Sequence, residues 1–123
     1  MKTIAVLGAS SRHEKFGNKC VRAYLSAGWE VFPVNPNETE IEGLAVYRRL
    51  ADVPGVLERI SVYLPPAKTL EMLGEIGAKG AEEIWFNPGS ADARVLEEAR
   101  RRGLPAVPGC SIVDLGLSPA RFP

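Results

Sequence analysis

Histidine and cysteine are scarce, with one His and two Cys among 123 residues. Cys20 and Cys110 lie far apart with no Cys-x-x-Cys between them, so neither a disulfide framework nor a zinc site is indicated, and no metal is expected. Charge of one sign is also lacking: fifteen basic side chains meet fifteen acidic ones. Without a net field there is nothing to draw the whole chain to nucleic acid or to an anionic membrane, so any phosphate binding has to be local. No apolar run approaches the ~20 residues that span a bilayer, and a strand begins almost at Met1 with no charged leader, which gives a cytoplasmic expectation. A chain of 123 residues buries one core, so residues 1–123 are read as a single domain with a single site.

What is present is an alternation of apolar runs and amphipathic stretches. Strands are expected at Ile4–Leu7, Val31–Val34, Ile60–Leu64, Ile84–Phe86 and Pro105–Val107, and helices near Gly17–Ala27, Ala67–Gly77 and Asp92–Arg102. The strand runs are β-branched and do not clearly alternate, which suits strands covered on both faces. The expected fold is therefore α/β, a doubly wound parallel sheet of about five strands with helices on both faces. Cys20, Val21, Tyr24 and Leu25 share one face of the first helix, and Ala27-Gly28 ends it. Leu44–Tyr47 reads as a short strand or a surface loop, Asp52–Val56 as the opening of a short helix capped by Asp52, and Leu117–Pro123 as a surface segment.

The turn after the first strand carries the chemistry. Gly8, Ala9 and Ser10 are small enough for a backbone to approach phosphate, Ser10 and Ser11 supply hydroxyls, and Arg12 and Lys15 supply cations. A dinucleotide fingerprint counted from Gly8 would require glycine where Ser10 and His13 stand; the next glycine is Gly17. The second strand ends in Val34-Asn35-Pro36, where an NAD site carries a carboxylate for the ribose hydroxyls. A phosphorylated ligand other than NAD is the reading that follows.

Asn35-Pro36, Pro65-Pro66 and Asn87-Pro88-Gly89 each stand just past a strand, so all three converge on the carboxyl edge of the sheet. Proline offers a rigid apolar surface with no N–H to satisfy, and Asn35 and Asn87 both donate and accept. His13 lacks a nucleophile and an orienting acid and is read as a surface residue; no catalytic residue is assigned. Cys20 is a packing residue. Cys110 sits near the same edge, and a buried inert thiol is the preferred account of it. Trp29 and Trp85 are read as core or edge residues, Trp85 being the one nearer the site.

Leu7-Gly8-Ala9-Ser10, the segment Gly28-Trp29-Glu30-Val31-Phe32-Pro33-Val34-Asn35-Pro36, Leu64-Pro65-Pro66, and Ala78–Ala81 leading to Ile84-Trp85-Phe86 together resemble the small stand-alone CoA-binding proteins of the YccU-like family. That family is related to the CoA-binding domain of the succinyl-CoA synthetase α subunit. The resemblance spans nearly the whole chain and implies a Rossmann-like sheet with CoA as ligand. It implies that Gly8, Ala9 and Ser10 meet the phosphates, with Ser11, Arg12 and Lys15 beside them. Val34, Asn35 and Pro36 would border the adenosine end, Leu64, Pro65 and Pro66 would flank the nucleotide, and Asn87 and Gly89 would lie near the pantetheine arm. Relatives often carry a lysine soon after Asn-Pro, where this chain has Asn37-Glu38-Thr39-Glu40. The synthetase's second domain has no counterpart.

The expected function is binding of CoA or a short acyl-CoA by a non-catalytic carrier, sensor or partner module. A small molecule is the expected partner, with neither nucleic acid nor membrane; a homodimer or a separate protein partner is left open. The competing reading is an NAD(P)-dependent oxidoreductase or another Rossmann nucleotide-binding enzyme, which needs a ribose-reading acid or a 2′-phosphate-reading arginine after Val34. A phosphorelay receiver would need acids at the end of the first strand, where Gly8-Ala9-Ser10 offers none.

Overall fold

The computed structural model describes all of residues 1–123. In chain order the elements are β1 (Thr3–Leu7), α1 (Phe16–Ser26), β2 (Glu30–Val34), β3 (Glu40–Ile41), β4 (Leu44–Ala45), a 3-10 turn (Leu50–Asp52), β5 (Arg59–Val62), α2 (Pro66–Lys79), β6 (Glu83–Phe86), α3 (Ala93–Arg101), β7 (Ala106–Pro108), α4 (Ser111–Asp114) and a second 3-10 turn (Pro119–Arg121). Five strands form one parallel sheet in the order β2-β1-β5-β6-β7. The single domain is the α/β sheet that the apolar runs predict.

Side-chain parity assigns the two faces. Ala5, Leu7, Ile60, Val62, Ile84 and Phe86 point to one side, where Leu73 and Ile76 of α2 and Val95 and Ala99 of α3 cover them. Ile4, Val6 and Val31 point to the other, against Cys20, Val21, Ala23 and Tyr24 of α1 and Ile112 of α4. Both sides of β1 are thus buried, which is why its sequence is continuously apolar. Truncating a fully buried residue such as Leu73 to Ala is expected to cost about 2–5 kcal/mol.

The second face is not uniformly apolar. Below α4, β5 and β6 present Ser61 and Asn87, and these are satisfied internally: Asn87 Nδ2 donates to Ser61 Oγ (2.8 Å) and the Val62 carbonyl (2.9 Å), and Asn87 Oδ1 accepts from the Ser111 N–H (2.9 Å). Nearby, Ser61 and Ser111 hydroxyls share a hydrogen bond of 2.8 Å, and Tyr24 donates to the Ser111 carbonyl at 2.9 Å. At the opposite, amino-terminal edge of the sheet Arg59 lies between the Trp29 and Trp85 rings, 5.2 and 5.1 Å from their centroids, and pairs with Asp114 and Glu83.

Several boundaries and two expectations shift. The expected strand Ile60–Leu64 ends at Val62, leaving Tyr63 and Leu64 to form a wall of the crevice. Leu44–Tyr47 resolves into a hairpin arm: Glu42 and Gly43, with φ of 51° and 77°, form the turn between β3 and β4, and Tyr47 bridges the outer edge of β2 beside Val34. Asp52 does not cap a helix. It closes the 3-10 turn by donating its N–H to the Arg49 carbonyl at 3.0 Å, after which Val53 is extended, because Leu50, Val53 and Leu57 are drawn into the core as the chain crosses from β2 to β5. The tail docks on α1, with Arg22 donating to the carbonyls of Phe122 and Pro123.

Candidate functional site

The chain leaves β1 for α1 on one face, forms β2, then crosses to β5 on the other side of β1 and departs through α2 on the opposite face. The loops after β1 and β5 therefore separate, and a crevice opens between them at the carboxyl edge, the place where open α/β sheets bind ligands.

Gly8 sits at its centre with φ of 90°, and a Cβ there would stand 2.5 Å from the Tyr63 carbonyl oxygen. Only glycine lets β1 and β5 close at this point. Gly17, in the first turn of α1, has the same role from above: a Cβ on it would lie 2.4 Å from the Gly8 carbonyl oxygen. The pair brings the N-terminus of α1 down onto the end of β1. α1 has no side-chain cap, and Lys15 occupies its cap position. The N-terminus of α2, opened by Pro65-Pro66, reaches the crevice from the other wall. Two helix starts facing one cavity favour an anion there.

The loop after Gly8 is held from several sides. Asn35 Nδ2 donates to the Ala9 carbonyl at 2.8 Å, Asn18 Nδ2 donates to the Ser10 carbonyl at 2.9 Å, and the Ser11 N–H donates to Glu38 Oε2 at 3.0 Å. Glu42 closes the far end, bonded to Asn18 at 3.1 Å and to His13 at 2.9 Å. The Asn18 amide, then His13, hold the Glu42 carboxyl below its ordinary range.

The main cavity, of about 500 Å³, is bounded by Gly8, Ala9, Ser10, Lys15, Phe16, Gly17, Asn35, Tyr63, Leu64, Pro65, Pro66, Pro88, Gly89 and Ser90. A second cavity of about 300 Å³ shares Gly8, Asn35 and Leu64 with it and extends along the end of β2, past Val34, Pro36 and Asn37, to Arg48, Arg49, Lys68, Met72 and Glu75. Of the sequence-assigned residues, Gly8, Ala9, Ser10, Lys15, Asn35, Leu64, Pro65, Pro66 and Gly89 meet in the first cavity, and Val34 and Pro36 in the second.

Ser11, Arg12 and Asn87 are placed elsewhere. The Ser11 N–H is engaged by Glu38, and Arg12 turns outward to pair with Glu14 at 2.8 Å. Asn87 is only 2% exposed, with its amide used inside the fold. Trp85 does not line the crevice, because its parity in β6 sends its ring to Arg59 and Gly109. Cys110 packs against the α1 side of the core, outside both cavities. Cys20 is fully buried, and that burial pushes its thiol pKa up.

Pro88 joins the first cavity as its place after β6 suggests, whereas Phe16, Gly17, Tyr63, Ser90, Arg48, Arg49 and Lys68 were missed by sequence reasoning. The Asn87–Ser90 turn was signalled by Pro88-Gly89, and Ser90 closes it by donating its N–H to the Asn87 carbonyl at 2.9 Å. Arg48 and Arg49 carry no such signal, since they lie in the irregular crossover.

A five-stranded parallel sheet with a glycine turn at its switch point, two helix starts and a proline-walled crevice defines a Rossmann-like α/β domain. The chain belongs to the CoA binding domain family, whose sequence model matches residues 2–116. It is similar to the α subunit of ADP-forming acetate–CoA ligase I from Pyrococcus furiosus, 26% identical over 98% of this chain and 29% of that protein. The protein YneT of Bacillus subtilis is 24% identical over 83% of this chain and 76% of its own length. Among solved structures, a conserved hypothetical protein from Pyrococcus furiosus superposes with a TM-score of 0.85 at 34% identity, over 93% of this chain and 99% of that one. The chain spans less than a third of the ligase subunit it matches. No helix is long and apolar enough to cross a membrane.

Proposed function

We propose that this domain binds coenzyme A, free or carrying a short acyl group, and holds it without transforming it, as a cytoplasmic carrier, sensor or partner module. The observation that carries the reading is the Gly8 turn: a glycine at φ of 90°, wedged against the Tyr63 carbonyl and facing the uncapped start of α1, makes a place for a pyrophosphate and for nothing bulkier on the protein side. From there the proline-walled cavity suits the uncharged pantetheine arm and the second cavity suits the adenosine end. Family membership supports the choice of CoA among phosphorylated ligands.

Binding without turnover is supported by the state of the nucleophiles and bases. Cys20 is sealed in the core, and His13 is engaged by Glu42 at the surface. Ligation is a property named for relatives of which this chain matches only a part, and the proposal transfers CoA and not ligation. The oxidoreductase reading receives no support at the end of β2: the Asn35 amide donates to Ala9 and its oxygen accepts from the Asn37 N–H at 2.7 Å, leaving no carboxylate for a ribose.

The test is calorimetric titration of the reduced protein with CoA, acetyl-CoA, NAD and NADP at one salt concentration. Binding of CoA in the micromolar range, about −8 kcal/mol, with NAD silent is the expected outcome. Binding of NAD or NADP with CoA silent overturns the proposal.

A further inference from the structure

The turn after β1 already holds one anion of the protein's own. Ala9 and Ser10 line the first cavity, and neither of their N–H groups is bonded within the chain. The next N–H along, that of Ser11, donates to the Glu38 carboxylate at 3.0 Å. Successive main-chain N–H groups in a turn attract an anion, and here a carboxylate from the connection between β2 and β3 takes one of them. Beyond it the Arg12 N–H is bonded to Ser10 Oγ at 3.1 Å, which ends the run.

Glu38 is tied to nothing else. It forms no ion pair, neither its own N–H nor its carbonyl is bonded within the chain, and the Ser11 N–H is the one group its side chain engages. Glu42, a second acid from the same region, differs: it bonds Asn18 at 3.1 Å and His13 at 2.9 Å and belongs to the framework of the loop. No cation neutralises Glu38 from the turn either, because Arg12 is paired with Glu14. A half-buried carboxylate held by a single main-chain donor leaves by rotating its own side chain. The end of β2 need not move with it, since Asn35 is fixed separately by its bonds to Ala9 and Asn37.

We infer that Glu38 sets the affinity of the site from the opposing side: its carboxylate competes with the ligand's pyrophosphate for the Ser11 N–H and has to leave when that group binds. The inference rests on the CoA reading and adds to it a residue that works against binding. A phosphate oxygen brought to the N–H groups of Ala9 and Ser10 meets a like charge on the neighbouring donor, and two anions at such a distance repel. Glu38 therefore holds the turn in shape and at the same time makes the ligand easier to release, which suits a carrier or a sensor.

The experiment titrates CoA and inorganic pyrophosphate into the wild type, Glu38→Gln and Glu38→Ala at low and high salt, and melts each protein without ligand. Both variants are expected to bind both ligands about three- to tenfold more tightly than the wild type, with the gain shrinking at high salt as the repulsion is screened. Glu38→Ala also loses the bond to Ser11, so its melting temperature should stay level or fall while its affinity rises. Those opposite signs are what a carboxylate that merely organises the turn would not give. Unchanged or weaker CoA binding by either variant overturns the inference and leaves the CoA reading intact. Pyrophosphate separates the two failures: if CoA binds none of the three proteins the CoA reading falls, and tighter pyrophosphate binding by the variants then still supports the competing role of Glu38, whereas equal or weaker binding overturns it. If neither ligand binds any of the proteins, both fall.

Discussion

The side-chain amide of Asn35 donates to the main-chain carbonyl of Ala9 at 2.8 Å, so the end of β2 fixes the turn that follows β1. Its oxygen meanwhile accepts from the Asn37 N–H, which bends the chain away from the sheet toward β3. Asn35 thus shapes the turn after β1 with groups that no ligand has to touch. Replacement by aspartate keeps the second bond and sets a carboxylate oxygen against the Ala9 carbonyl. Asn35→Asp is expected to lose about 1–3 kcal/mol of stability in urea unfolding and to weaken CoA binding without creating NAD binding. Titration with both ligands checks this; gain of NAD binding would show that the position reads ribose directly.

Two glycines with similar backbone angles should behave differently. Gly8 and Gly28 have φ of 90° and 83°, but a Cβ on Gly28 meets nothing within 4 Å whereas one on Gly8 meets the Tyr63 carbonyl at 2.5 Å. Gly28→Ala carries only the left-handed backbone cost of roughly 1–2 kcal/mol. Gly8→Ala adds a clash with main chain that cannot swing aside, and is expected to be the costlier of the two in thermal melts. Equal melting temperatures would mean that β1 and β5 separate more easily than their pairing suggests.

Asn87 was assigned to the site from its place after a strand, and the structure gives it another job. Its amide joins β5, the end of β6 and the start of α4, and the residue is only 2% exposed. Asn87→Ala leaves the Val62 carbonyl without its side-chain donor and the Ser111 N–H without its acceptor, each at about 1–3 kcal/mol for a buried group. Amide exchange should accelerate first at Ser111 and its neighbours in α4. A loss of CoA affinity with α4 exchange unchanged would return Asn87 to the ligand.

Much of the architecture was legible because it depends on local pattern. Continuous β-branched runs gave the buried strands, Gly28 and Pro66 marked helix ends, and the small residues after Leu7 marked the turn. What was not legible depends on parity or on tertiary placement. Trp85 and Asn87 share a parity that turns both from the crevice toward α4, and α4 itself has four residues, too few to show a period. Gly17 is needed because of one contact with the Gly8 carbonyl, and no spacing rule in a longer loop announces it. Arg48 and Arg49 reach the cavity because Leu50 anchors the crossover in the core beside α2, a packing relation invisible in the linear order.

The buried tyrosine of α1 gives a pH prediction with a definite sign. Tyr24 is sealed against Trp29, with ring centroids 4.9 Å apart, donates to the Ser111 carbonyl and accepts from Arg59 Nη1 at 2.8 Å. Burial pushes its phenol up to about 12, against the hydrogen bond from Arg59, which favours the anion. A folded-state value above the unfolded one, near 10, means that folding favours the protonated phenol. Its contribution is therefore fully present below about pH 10 and is lost as the pH rises toward about 12, where unfolded chains shed a proton that the folded chain keeps. Melting temperatures measured across that window should fall more steeply for the wild type than for Tyr24→Phe, which has no such proton but still packs against Trp29. Parallel slopes for the two proteins would place the alkaline loss on other groups and would mean that the Tyr24 hydroxyl ionises as freely in the folded chain as in the unfolded one.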